Sequence, residues 1–347
     1  MIIHVPTNGV TELQPLAAGT ASGFFEGPHA VRQFLSPENS NPIPMVELPD
    51  RLNPYRALGV RVFAKLMYLL PLLSIKSLPA FQMLKDAEES GKLHGVATLV
   101  ENSSGNTAFS LAVLARLFDI TRVIAFVPWD IAPGKLDLLR ICGVEPRLKR
   151  DGAGELSGIA EARRMGAQPG VFNPAQYDNE SNPAAYENWM APEIWKQTGG
   201  RLTVFATGLG TTGTLVGSSR YFRSQNAKVR IVGVICAQGH AVPGVRSEAR
   251  LSEIGFDWRC AADEVIEAET KESFKQSVGL CHSGLMAGPS SGFALAGLMR
   301  FLQSRVDDGG LDSLRNADGE VLATFICGDT PLPYLDKYST HLDPSDF

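Results

Sequence analysis

Along most of this chain, short runs of β-branched and aromatic residues take turns with stretches in which apolar positions recur every three or four residues. The first pattern belongs to strands and the second to amphipathic helices. Strands are expected at residues 61–66, 95–100, 121–127, 145–148, 202–206, 229–235, 263–268 and 321–326. Helical patterns fall between them. In residues 78–91, Leu78, Phe81, Leu84 and Ala87 share a face and Gly91 supplies the stop. Further helices are expected at 107–118, 134–141, 154–165, 184–197, 271–281 and 290–303, and another from Thr214. Residues 43–49, held between prolines, read as a short extended segment.

Strands that alternate strictly with helices build parallel sheets covered on both faces. The expected architecture is therefore α/β, with two doubly wound domains and a cleft between them. Residues 77–180 would form the smaller domain, and 39–76 with 181–347 the larger one, the two joined near 170–183. Residues 1–38 form an N-terminal extension whose Phe24, Phe25 and Phe34 could dock on a neighbouring surface. Ligands in such folds bind beyond the carboxyl ends of strands. Three polar turns fall there, ENSSGNT, GLGTTGT and GPSSG, which gathers them around one cleft.

Composition narrows the class. A length of 347 residues suits two domains, and 44% hydrophobic with 20% charged residues is ordinary for a globular protein. The formal net charge of -5 gives no electrostatic footing for nucleic acid or an anionic membrane. Cys142, Cys236, Cys260, Cys281 and Cys327 are scattered, odd in number and without a C-x-x-C pair, as expected of reduced thiols in a cytoplasmic protein. The six histidines show no metal-ligand spacing, so no metal is expected. The N-terminal MIIHVPTNGVTELQPL lacks the basic and apolar regions of a secretory leader. The most apolar stretch, 66–73, is too short to span a bilayer and contains Pro71.

The richest stretch is LTVFATGLGTTGTLVG, residues 202–217. A strand, a Gly/Thr turn and a helix start leave free N–H groups aimed at one spot, which suits an anion. Gly208, Gly210 and Gly213 let the backbone close tightly, and Thr211, Thr212 and Thr214 add hydroxyl donors. Gly208–Gly213 matches G-x-G-x-x-G, but the acid that a dinucleotide site needs about 20 residues on is absent from 229–240. A Gly-Lys-Ser/Thr ending is absent too, which argues against a nucleoside triphosphate. A compact monophosphate fits the loop better. The alternative is a turn of the same composition with no ligand.

The segment Asn102-Ser103-Ser104-Gly105-Asn106-Thr107 stacks donors at a helix start, a place that suits a carboxylate. Read alone, it serves equally well as a plain helix cap. Lys76, in SIKSL, lies between an apolar stretch and a helix start, where a lysine can form a Schiff base. A snorkelling surface lysine is the commoner use of such a residue.

The segments AKLMYLLPLLSIK, ENSSGNT, QYDNESNP, PEIW, GLGTTGT and GPSSG occur in one order along residues 40–335. In that order the chain resembles the cysteine synthase/cystathionine β-synthase family of pyridoxal phosphate enzymes, of fold type II with a tryptophan synthase β-like architecture. The resemblance implies pyridoxal 5′-phosphate as the cofactor, with Lys76 as its Schiff-base lysine. It implies that Gly210, Thr211, Thr212, Gly213 and Thr214 hold the phosphate, that Asn106 reaches the ring hydroxyl and that Ser290 faces the pyridine nitrogen. Ser103, Ser104, Gly105, Thr107 and Gln176 would bind the substrate's α-carboxylate. The implied reaction is β-replacement on O-acetylserine or O-phosphoserine through an aminoacrylate, with sulfide or a thiol as nucleophile, in a cytoplasmic homodimer.

Departures accompany the match. Leu70-Pro71-Leu72-Leu73-Ser74-Ile75-Lys76-Ser77-Leu78 stands where the family commonly has Asn-Pro-x-x-Ser-Val-Lys-Asp-Arg, and Lys65-Leu66-Met67 replaces Lys-Leu-Glu. Gly210-Thr211-Thr212-Gly213-Thr214 replaces Gly-Thr-Gly-Gly-Thr, and Ser103 opens the asparagine loop in place of threonine. The later loop 240–250 carries His240, Arg246 and Arg250, which could attract an anionic second substrate, or could simply be solvated. An amine nucleophile giving 2,3-diaminopropionate-type products, a serine/threonine dehydratase, a nicotinamide-dependent oxidoreductase and a non-catalytic binding module are the competing readings.

Overall fold

The computed structural model describes residues 23–103, 105–150 and 156–347. Its strands are β1 (Met45–Glu47), β2 (Val60–Lys65), β3 (Thr98–Asn102), β4 (Arg122–Pro128), β5 (Val144–Lys149), β6 (Val171–Phe172), β7 (Val204–Gly208), β8 (Arg230–Cys236), β9 (Glu264–Ala268) and β10 (Val321–Ile326). They form a six-stranded sheet of order β1-β2-β10-β7-β8-β9 and a four-stranded sheet of order β5-β4-β3-β6. Every named pairing is parallel except β1 with β2, which is antiparallel. The expected extended segment at 43–49 thus supplies an antiparallel edge to an otherwise parallel sheet.

Side-chain alternation explains why both sheets are covered on two faces. In β10, Val321, Ala323 and Phe325 pack with Leu298, Phe301 and Leu302 of the helix Pro289–Asp307. Leu322 and Ile326 point the other way, into a cluster with Ile194, Leu215 and Phe222. The smaller sheet repeats the scheme. Leu99, Val123 and Ala125 meet Ala80, Met83 and Leu84 of the helix Ser77–Glu89, while Val100, Ile124 and Phe126 meet Ala162 and Met165 of Gly158–Gly166.

Two helical readings change. The expected helix over 184–197 is split into Ser181–Ala185, a wide turn at Tyr186–Met190 and Ala191–Gln197. Pro192 has no N–H to give to the carbonyl four residues back, and its ring crowds that carbonyl, so the turn before it widens. The short helices Ala30–Leu35 and Leu335–His341 were not foreseen. The first of these seats the end of the N-terminal extension on the chain's own smaller sheet. Arg32 donates to the Leu117 carbonyl (3.1 Å) and lies over the Phe118 ring, and Leu35 is buried in the same core. Phe25 and Phe34 stack edge-to-face at 5.7 Å. Residues 1–22 of that expected extension lie outside the described residues. Among the described residues, no helix is long and apolar enough to cross a membrane.

Two buried ionisable groups tie segments together. Lys65, fully buried at the end of β2, donates to the Ile43 carbonyl (2.7 Å) and Gln197 Oε1 (2.8 Å) and pairs with Glu193. Burial pushes its ammonium below the usual lysine range, against the pull of Glu193. Glu101 in β3 accepts from the N–H groups of Asn102 (2.8 Å) and Gln176 (3.1 Å). Burial pushes its carboxyl up to about 7, against those two donors. Ionising Glu101 inside the fold therefore costs on the order of 3 kcal/mol relative to the unfolded chain. Because the folded state holds this proton more tightly than the unfolded one, stability should fall as pH rises from about 4.5 through 7. Urea midpoints measured between pH 5 and pH 8 should show that decline, and Glu101→Gln should flatten it. An equal slope in the variant would remove Glu101 as its source.

Candidate active site

Strand order in the large sheet reverses around β7 and β10, the place where parallel sheets bind ligands. β7 ends at Gly208, and the helix Gly213–Gln225 begins just beyond it. Thr207, Gly208, Gly210, Thr211, Thr212 and Thr214 line one cavity, together with Lys76, Asn106, Ser290 and Asp329. The glycines are there for close approach. A Cβ at Gly210 would run into the Gly244 carbonyl, and one at Gly208 would press on Val245 at 2.8 Å and Phe293 at 3.1 Å. Gly213 is not on the cavity wall. A Cβ there would strike the Asn182 side chain, so this glycine seats the helix against its neighbour.

Thr212 takes a left-handed backbone (φ 64°), uncommon for a β-branched residue, and its buried hydroxyl has no hydrogen-bond partner among the described residues. The helix that follows has no side-chain cap. An orphan hydroxyl, uncapped N–H groups and the positive end of a helix dipole make a fitting cradle for a phosphate.

Lys76 precedes the helix Ser77–Glu89 and is half-buried, with its N–H donating to Ser74 Oγ (3.2 Å). Its ammonium makes no hydrogen bond or ion pair with another described residue. Asp329, just past β10, organises the neighbouring wall. Its Oδ2 accepts from Asn106 Nδ2 and from the Tyr334 hydroxyl, both at 2.6 Å, and its Oδ1 lies 3.5 Å from Ser290 Oγ. Burial pushes the Asp329 carboxyl up, countered by these donors and by Lys135. Lys135 itself lies 4.7 Å over the Tyr334 ring, its ammonium pushed down by burial and held up by Asp329. Asn106 and Ser290, expected at the ring hydroxyl and the pyridine nitrogen of the cofactor, are thus both joined to one buried carboxyl.

The asparagine loop links β3 to the helix Asn106–Ala115. Ser103 Oγ accepts from the Gly105 N–H (3.4 Å), Thr107 is buried as the second residue of the helix, and Ser104 lies outside the described residues. Gln176 is buried at the loop's base, where its Nε2 donates to the Asn102 carbonyl (3.0 Å). A second cavity opens beside Ser103, lined also by Tyr177, Trp129, Lys149, Arg246 and Arg250. His240 is absent from both linings, and its Nδ1 accepts the Thr270 N–H (3.2 Å) at the start of the helix Thr270–His282. The expected trio on loop 240–250 therefore divides, with the two arginines on the cavity and the histidine serving the fold.

Several residues of this site escaped the reading of the sequence. Asp329 follows Cys-Gly in no recognisable spacing, and only the strand order brings it beside β7. Tyr177 sits within QYDNESNP, where nothing local sets it apart from its neighbours.

Comparison with known proteins places the chain. The family model described as "Pyridoxal-phosphate dependent enzyme" matches residues 38–311. Cysteine synthase B of Escherichia coli (strain K12) is 32% identical over 274 residues, covering 76% of this chain and 86% of that protein. A cysteine synthase structure from Entamoeba histolytica superposes with a TM-score of 0.74 at 23% identity, over 89% of this chain and 91% of that one, which speaks to the fold. The O-acetylserine dependent cystathionine beta-synthase of Helicobacter pylori aligns with a TM-score of 0.70 at 25% identity, over 85% and 95% of the two chains. With an uncapped helix start and an unpaired lysine on one cavity, and these likenesses across most of its length, the chain belongs to the pyridoxal-phosphate dependent enzyme family, in its cysteine synthase/cystathionine β-synthase branch.

Proposed function

We propose that the protein catalyses β-replacement on an O-activated L-serine, O-acetylserine in the first instance, with sulfide as the nucleophile. The observation that carries this reading is the convergence of an unpaired lysine, an uncapped Gly/Thr loop and the asparagine loop at one switch point. Relatives named cysteine synthase B support sulfide over the amine, dehydratase and nicotinamide readings.

Pyridoxal phosphate, when bound, supplies the electron sink for bond cleavage at the amino acid's Cα and Cβ. Lys76 would hold it, and its amine would move the proton at Cα. Gly210, Thr211, Thr212 and Thr214 on the cavity wall, with the N–H of Gly213 at the helix start behind them, would carry the phosphate, and the Thr212 hydroxyl would find there the partner it lacks among the described residues. Asn106 and Ser290 would orient the ring, both braced by Asp329. Ser103, Ser104, Gly105 and Thr107 would take the α-carboxylate on N–H and hydroxyl donors. Gln176 would serve from beneath by fixing the Asn102 carbonyl. Residues 77–180 would form the smaller unit that carries this loop.

The test is a visible spectrum of the purified, cofactor-loaded protein followed through sequential additions. O-acetylserine should discharge the visible band and sulfide should restore it with release of cysteine, whereas Lys76→Ala should lose turnover by about 10³-fold or more. A band that O-acetylserine leaves untouched would exclude this substrate.

We also infer a cytoplasmic homodimer. All five cysteines are free, as suits a reducing compartment. Leu73, Ile141, Leu332 and Leu335 are large, exposed and gathered along one apolar groove. Leu73 takes a left-handed backbone there (φ 52°), at a cost of roughly 1–2 kcal/mol for a leucine. Charges on the rim are already paired within the chain, Arg140 with Asp137 and Lys337 with Asp336. An apolar centre with a neutral rim suits a second copy of the same face. Ile141→Asp, which should leave the monomer's fold intact, is expected to halve the mass measured by light scattering. A wild type that is monomeric at micromolar concentration would end this proposal.

A further inference from the structure

The two loops read as anion sites are connected through a single side chain. Loop residues 244–246 lie against the phosphate loop, where the Arg246 N–H donates to the Leu209 carbonyl (2.8 Å) and the Arg246 carbonyl accepts the Cys236 N–H (3.0 Å). The Gly244 carbonyl fills the space a Cβ on Gly210 would need. The backbone of Arg246 is therefore fixed to β8 and to the Gly/Thr turn. Its side chain leaves in the other direction and is only 13% exposed.

The guanidinium stands 4.8 Å over the ring of the buried Tyr177, while its Nη1 donates to the Arg250 carbonyl (3.0 Å) and Glu253 (3.2 Å). Tyr177 in turn donates its hydroxyl to the Asn102 carbonyl (3.0 Å), and the hydroxyl oxygen accepts from Asn102 Nδ2 (3.4 Å). Asn102 is the residue from which the asparagine loop departs, immediately before Ser103. The guanidinium's Nη1 and face are thus already engaged within the protein, which leaves it poorly suited to greet an incoming anion. A cation over a tyrosine ring is directional and short-ranged, and stronger where water is excluded.

We infer that Arg246 is a positioning residue, coupling the cofactor-phosphate loop to the substrate-carboxylate loop through Tyr177 and Asn102. With Tyr177 held from above by Arg246, the Asn102 carbonyl keeps its place, and Ser103, Gly105 and Thr107 keep their donors converged on the α-carboxylate. Without it, Tyr177 and the loop gain freedom that the amino acid must remove on binding. This rests on the amino-acid reading proposed above.

The experiment titrates cofactor-loaded protein with L-alanine, which has the α-amino and α-carboxylate groups but no leaving group, and reads Kd from the visible spectrum. Arg246→Ala should weaken L-alanine roughly tenfold. Tyr177→Phe keeps the ring beneath the guanidinium but removes the hydroxyl that reaches Asn102, and should weaken it comparably. It also keeps the idea testable should Arg246→Ala fail to fold. Because both changes cut one chain of contacts, the double variant should be no more than about twofold weaker than the worse single variant. Fully additive losses would overturn the inference, as would an unchanged L-alanine Kd in Arg246→Ala accompanied by a raised KM for sulfide. Wild-type protein that does not respond to L-alanine at all would bring down the amino-acid reading itself, and the inference with it.

Discussion

A helix begins with N–H groups that its own backbone cannot satisfy, and here that deficit sits where the strand order of the large sheet reverses. Much of the site follows from the need to keep it there. The turn before the helix is too tight for side chains at Gly208 and Gly210 because the loop at 244–246 presses on it. Thr212 accepts a left-handed backbone to complete the turn and buries a hydroxyl without a partner among the described residues. Of these, the orphan hydroxyl and the uncapped N–H groups are polar deficits that an anion would satisfy. The geometry is thus biased toward a ligand before any catalytic group is considered.

Two buried carboxyls hold the surrounding loops to that point. Asp329 gathers Asn106, Ser290 and Tyr334, which come from three separate segments of the chain. Glu101 gathers Asn102 and Gln176 at the base of the asparagine loop. Each carboxyl is pushed upward by burial, which makes it costly unless its donors stay in place. Such groups specify where loops sit more than they stabilise the fold, since a slack arrangement would leave an unpaired buried acid.

What is legible in the sequence depends on how local each signal is. Strands such as β7 and β10 were legible because runs of β-formers need no partner to be recognised, and their ends fell within a few residues of expectation. The gathering of the Gly/Thr loop, Lys76 and Asn106 on one cavity was legible because local chemistry and the resemblance agreed. β1 was seen only as an extended segment, since nothing within three residues says which strand it will pair with. Asp329, and the contacts of the Arg246 side chain, were illegible for the same reason. Their roles arise from contacts between segments more than 60 residues apart in the chain, Asn106 with Asp329 and Arg246 with Tyr177. His240 shows the converse error, a chemically suggestive side chain whose nitrogen is engaged in capping a helix.

The departures from the family pattern around Lys76 are Leu70, Ile75, Ser77 and Leu78, and all four are buried, the three apolar ones in the core with Tyr186 and Ile194 and Ser77 with its hydroxyl on the Ser74 carbonyl (2.9 Å). Leu72 and Leu73 are absent from the lining of the cofactor cavity and line the apolar groove on the outer side of Asn106 and Asp329. They change what the loop shows to the outside, while Ser74 and Ile75 keep it paired to Asp329 and Gly328. A leucine in left-handed backbone with an exposed side chain gains nothing inside the monomer. Its cost is recovered only if something apolar covers it, and the same cover would exclude water from the outer side of the Asn106–Asp329 pair. The substitutions around Lys76 therefore alter the packing behind the site, while Asn106 and Asp329 line both the cofactor cavity and the outer groove.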